Sequence, residues 1–90
     1  MKNRRLVVGS ITVWIDPEGQ GRLGITVPRS VGGAAERNVA KRRVREVCRE
    51  IWNSSDTDMV VMVTRKASSA EIRQALSQIL ERSAPVKEMS

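Results

Sequence analysis

Between Ala35 and Ile51 the charges are sorted by helical angle, and this sorting constrains the chain more than any other feature. At about 100° per residue, with Arg37 at zero, Arg37, Lys41, Arg45, Arg49 and Arg42 fall within an arc of roughly 140°. Ala40, Val44, Val47, Cys48 and Ile51 cluster on an adjoining arc, and Glu36, Glu46 and Glu50 take much of the third side. A segment divided in this way is a helix that buries one stripe and presents a cationic flank elsewhere. Like charges on one flank repel by a few tenths of a kcal/mol per i,i+4 pair, and interspersed signs would keep a helix soluble without that cost. A densely anionic partner converts the repulsion into binding free energy, and nucleic acid is the obvious candidate. Asn38, at about 100° on the same wheel, sets a neutral donor and acceptor among the cations, suited to sugar or base edges.

The bulk composition agrees with a polyanion partner. The 90 residues carry a formal net charge of +6, with a sequence pI near 10.7, enough for one small domain. There is no His and one Cys, Cys48, which removes imidazole metal sites, zinc fingers, His-based general-base catalysis and any internal disulfide. The lone thiol points to a reducing compartment. Trp14 and Trp52 are the only aromatics, so contacts to phosphate and sugar are expected to outweigh base stacking. No apolar run approaches the ~18 residues of a membrane span. The basic start Met1-Lys2-Asn3-Arg4-Arg5 is not followed by a signal-like segment, so no membrane partner and a cytoplasmic location are expected.

Leu6–Ile15 reads as one strand, with Ile11, Val13 and Ile15 alternating against Thr12 and Trp14. Asp16-Pro17-Glu18-Gly19-Gln20-Gly21 is turn chemistry. Arg22–Val27 alternates again, and the two strands are expected to pair as an antiparallel hairpin. Pro28–Gly33 is a loop whose glycines turn the chain into the helix, which runs from Ala34 to Trp52 with Asn53 as its C-terminal cap. Asp58–Thr64 is a continuous apolar run, expected as a strand covered on both faces. Arg65-Lys66-Ala67 is a basic loop. Ser68 and Glu71 form a capping box ahead of a helix with its stripe at Ile72, Leu76, Ile79 and Leu80. The order β-β-α-β-α predicts an α+β two-layer sandwich, a small mixed sheet with helices packed on it. Residues 1–83 are expected to form a single RNA-binding domain and 84–90, with Pro85, a flexible tail. Asp16, Glu18, Asp56 and Asp58 read as turn and strand-edge residues, and Ser54-Ser55 and Ser68-Ser69 as caps, so no catalytic residue is assigned to the protein. Trp14 is expected to pack beneath the last helix or at its edge, with stacking on a base from an open sheet face as the alternative.

From Arg22 to Glu46 the chain resembles the protein component of bacterial ribonuclease P. That family carries an Arg-x-Gly-[Ile/Val]-[Ser/Thr]-Val strand, a short basic loop ending in Val-Gly, and a helix reading Ala-x-x-Arg-Asn-Arg-x-Lys-Arg-x-x-Arg-Glu. Here Arg22, Gly24, Ile25, Thr26 and Val27 supply the strand, and Arg29, Val31 and Gly32 the loop. Ala34, Arg37, Asn38, Lys41, Arg42, Arg45 and Glu46 supply the helix. The second motif arginine is Val39, and Ser30 stands where members usually carry a second basic loop residue. Members begin with a further helix bearing paired phenylalanines; this chain is expected to start after it and contains no Phe.

The resemblance implies a left-handed β-α-β crossover through the basic helix, against the usual right-handed preference. It implies a protein subunit that binds and stabilises a catalytic RNA and assists removal of the 5′ leader from precursor tRNA. Mg²⁺, held mainly by the RNA, would activate water, and no organic cofactor is called for. The implied RNA contacts are Arg37, Asn38, Lys41, Arg42, Arg45 and Arg49 on the helix, then Arg29 and the Arg65-Lys66 loop. The residues alone leave two other readings open. One is a general basic RNA- or DNA-binding module with no ribonuclease P role, and the other an interaction domain for an acidic protein.

Overall fold

The structure, a computed structural model, describes residues 4–52 and 57–83. Its strands are β1 (Arg4–Val8), β2 (Ile11–Asp16), β3 (Leu23–Thr26) and β4 (Asp58–Val63), and its helices α1 (Ala34–Ile51) and α2 (Ser69–Ser83). A short 3-10 turn, Arg29–Val31, leads into α1. The expected cap at Asn53, the residues Ser54, Ser55 and Asp56, and the 84–90 tail lie outside the described residues.

The architecture is α+β, with one mixed four-stranded sheet in the order β1-β2-β4-β3. Two expectations are corrected. Leu6–Ile15 is two strands, because Gly9-Ser10 folds β1 back on β2 in register Val8↔Ile11. Gly9 has φ +57, at the first central position of a two-residue turn, where type II′ hairpins place glycine. The element order is therefore β-β-β-α-β-α. Nor do β2 and β3 pair with each other: β4 lies between them, antiparallel to β2 and parallel to β3. The Val- and Met-rich run takes an interior position, and β1 and β3 form the edges. β3 and β4 are thus neighbouring parallel strands joined through α1.

Both helices pack on one face of the sheet. Ile11, Val13 and Ile15 of β2 and Met59, Val61 and Val63 of β4 point into this layer. They meet Val44, Val47 and Cys48 of α1 and Ile72, Leu76 and Ile79 of α2. Full burial of side chains this size stabilises by about 1.5–3 kcal/mol each, so the stripes of α1 and α2 are what hold the helices down. Burial also raises the Cys48 thiol to about 11. The expectation that β4 is covered on both faces is overturned: its alternate residue Val60 is 41% exposed and Met62 is half-buried. Trp14 shares that second face, opposite Arg5 on β1 and Val60 on β4, and does not lie under α2.

Each helix starts as its sequence dictates. At α2 the capping box is complete, with Glu71 N–H donating to Ser68 Oγ and Ser68 N–H donating to Glu71 Oε1, both at 3.2 Å. At α1 the N-cap is Gly33, and Glu36 Oε1 reaches back to accept its N–H at 3.0 Å. The role expected of the Gly32-Gly33 pair changes accordingly. A β-carbon on Gly32 would run into the Glu36 carboxylate, so this glycine makes room for the capping group.

Candidate nucleic-acid interface

α1 lies over the β3 side of the sheet and α2 over β1 and β2. Ala40, Val44, Val47 and Cys48 point down into the core. The solvent-facing remainder of α1 then has two flanks, one toward α2 and one toward the β3 edge. The charges divide between them.

On the flank toward α2, Glu36 and Glu50 are paired within the molecule and Glu46 is exposed. Glu50 pairs with Arg73 of α2. Glu36 Oε2 lies 2.8 Å from Lys66 Nζ in the β4–α2 loop. The Lys66 bond, with the Gly33 N–H second, holds the Glu36 carboxyl below its ordinary range. Arg43 Nη1 donates to the Ala67 carbonyl at 3.0 Å.

The other flank carries Arg37, Asn38, Lys41, Arg42, Arg45 and Arg49. Asn38, Arg42, Arg45 and Arg49 are exposed, and Arg37 and Lys41 are half-buried where the flank meets the core. Among the described residues none of these five cations takes part in an ion pair. Arg37 Nε is buried without a hydrogen-bond partner. Arg29 is exposed on the 3-10 turn between β3 and α1. The helix cations therefore form a ridge bordering the β3 side, while on the acidic side Glu36 is tied to the loop and Glu50 to α2. Arg65 and Lys66 stand apart from the ridge, across the helix.

Two features went unread in the sequence. Arg43 is bound to a backbone carbonyl of the loop. Asp58 Oδ1 accepts N–H bonds from Gln20 (2.8 Å) and Arg22 (2.9 Å), while Arg22 Nη2 donates to Oδ2 at 2.7 Å. Asp16 keeps its expected turn role, with Oδ1 accepting from Glu18 N–H at 3.0 Å. Among the described residues no group of three or more His, Cys, Asp or Glu side chains is placed to hold a metal ion. No helix among them is long and apolar enough to cross a membrane.

Residues 1–84 match the sequence model of the family described as Ribonuclease P. The chain belongs to the ribonuclease P protein family. The matched span contains the whole of α1, Arg29 and the Arg65-Lys66 loop. A ribonuclease P protein component from Desulfosudis oleivorans is 42% identical over 67 residues, covering 69% of this chain and 55% of the relative. One from Herpetosiphon aurantiacus is 38% identical over 65 residues, covering 67% and 53%. This ribonuclease P family member thus spans about half the length of those curated relatives. A solved RNase P protein from Thermotoga maritima superposes with a TM-score of 0.78 at 29% identity, over 92% of this chain and 88% of that one.

Proposed function

We propose that this chain acts as the protein subunit of ribonuclease P, binding and stabilising the catalytic RNA and assisting Mg²⁺-dependent removal of the 5′ leader from precursor tRNA. The observation that carries this reading is the division of α1: Glu36 and Glu50 on its acidic flank are paired internally, while among the described residues no cation of its basic flank is, which leaves that flank for an external anion. Arg37, Lys41, Arg42, Arg45 and Arg49, with Arg29 on the turn that precedes the helix, are assigned to phosphates. Asn38 among them is assigned to a sugar or base edge. Arg65 and Lys66 are secondary contacts.

The chemistry of such a subunit is electrostatic. Each cation that neutralises a phosphate releases condensed counterion, so affinity falls steeply with salt. Positive charge at the ridge also lowers the repulsion between RNA segments brought together, which favours a compact active shape at low Mg²⁺. Mg²⁺ bound by the RNA would supply the activated water. The protein contributes no nucleophile or general base, and its single thiol is buried and held protonated.

Two measurements test the proposal. Added to the catalytic RNA at low Mg²⁺, the protein should raise the rate of 5′ maturation of a precursor tRNA; no stimulation at any protein concentration rejects the subunit reading. Arg45→Ala should weaken RNA binding and lower the slope of log K against log salt by about one unit. Unchanged slopes in folded Arg37, Lys41 and Arg45 variants would move the binding surface off α1.

A further inference from the structure

The β4–α2 loop is fastened to α1 at two points on the flank away from the ridge. One is the Arg43 bond to the Ala67 carbonyl, and the other the Lys66–Glu36 pair. Between them Val31, Val39, Ala40 and Ala67 floor a shallow hollow of about 200 Å³, rimmed by Glu36, Arg43 and Lys66. Val39 is thus an apolar gap in the charged solvent face of α1, and the loop sets a cation beside it.

The two fastenings differ in kind. Arg43 is half-buried, and its guanidinium is engaged by a carbonyl that cannot leave, since Ala67 is 7% exposed. The Lys66 side chain is 69% exposed, and its partner Glu36 is separately held by the Gly33 N–H. An exposed pair of this sort is weak and exchangeable, so a phosphate can take Lys66 without dismantling the helix start.

Building on the RNA-binding reading above, we infer that Arg43 is a positioning residue for the RNA interface and that Lys66 is the cation it positions. By gripping Ala67, Arg43 fixes the loop so that Lys66 stands over the gap at Val39. RNA lying across α1, from the ridge to the opposite rim about 10–12 Å away, then meets charge on both sides. The interface is built from two elements, and its far rim is set by a cation that touches no phosphate.

The test uses the full chain and the in vitro transcribed catalytic RNA of ribonuclease P, with binding titrated over a range of salt and each variant checked by thermal melting. Lys66→Ala and Arg43→Met should each lower the salt slope by about one, and the double variant should lose no more than either alone. Val39→Arg, which places a guanidinium in the same gap, should restore the slope to both single variants while adding little to the unsubstituted protein. A double variant that loses about two units puts Arg43 itself on the RNA and overturns the inference. Unchanged slopes in Lys66→Ala and Arg43→Met, beside a lowered slope in Arg45→Ala, overturn it while leaving the RNA-binding reading intact. Slopes unchanged in the folded Arg37, Lys41 and Arg45 variants as well reject both. The Val39→Arg, Lys66→Ala cycle leaves Arg43 in place, so it decides the role of Lys66 even where Arg43→Met does not fold; additive effects there reject it.

Discussion

Asp58 stands at the start of β4 and gathers the chain that precedes β3. Its carboxylate accepts the Gln20 and Arg22 backbone N–H groups on one oxygen and the Arg22 guanidinium on the other. The Arg22 side-chain bonds come first, then the two N–H donors, in holding this carboxyl well below the usual carboxylate range. Its folded-state pKa is thus lower than in the unfolded chain, where it is about 3.9. The stabilisation is complete above that value and is lost as pH falls toward the depressed one, because the unfolded chain takes up the proton first. Asp58→Asn should therefore lower the melting temperature at pH 7, and the gap to the unsubstituted protein should narrow as pH falls from about 4.5 to 2.5. A gap that stays constant across that range would remove the ion pair from the account. The sequence showed Asp58 only as a strand-edge residue, because its partners arrive through the parallel pairing of β3 on β4, more than thirty positions away in the chain. Gly21 does use the positive φ that a turn glycine offers, at +84. Gly19 serves space instead: a β-carbon there would collide with Asp58.

At the scale of elements, what the local pattern specified is present, and what depended on distant competition is altered. The stripe Ile72, Leu76, Ile79 was legible because a 3.6-residue period needs only its own segment, and all three side chains are fully buried. So was the capping box, whose two bonds both form. Ser68→Ala should cost about 0.5–2 kcal/mol in urea unfolding, with an unchanged m-value, since it removes the acceptor for one helix-start N–H without touching the core. A cost near zero would mean that water replaces the hydroxyl fully. The β2–β3 hairpin failed for the opposite reason. Neighbours in sequence usually pair, but β4 offers Met59, Val61 and Val63 to the same core face and displaces β3 to the edge. The Gly9-Ser10 turn was hidden because the β-branched run continues on both sides of it, although Gly-Ser between two apolar runs is itself a hairpin signal. In the candidate interface, the sorting of α1 was legible from angle alone. The fate of its acidic flank was not, because Lys66 and Arg73 reach it only once the loop and α2 have docked.

The molecule as a whole is a two-layer object with one dry side. Both helices cover the face of Val13 and Val61, and the other face of the sheet carries rows set by strand register. Arg5, Trp14, Val60 and Gly24 form one row, and Val7, Thr12, Met62 and Thr26 the next. Val7 is 50% exposed and Val60 41%. A continuous apolar run such as Met59–Val63 gives no period from which to read this, so sequence alone favoured cover on both faces. The layering makes a paired prediction on adjacent residues of one strand. Valine and threonine have nearly the same shape and similar β-propensity, so replacing one by the other changes chiefly the hydration of a hydroxyl. At Val61, which is 0% exposed, the hydroxyl would be buried among Val13, Ile25 and the helix stripes. Val61→Thr should cost about 1–3 kcal/mol of unfolding free energy. At Val60 the hydroxyl keeps its water, and Val60→Thr should stay within about 0.5 kcal/mol. Denaturant unfolding of the two variants reads the difference directly. Equal, large costs would show that Val60 is covered in solution, and with it Trp14 and the rest of its row; a large difference fixes the sheet as one-sided and leaves that row facing water.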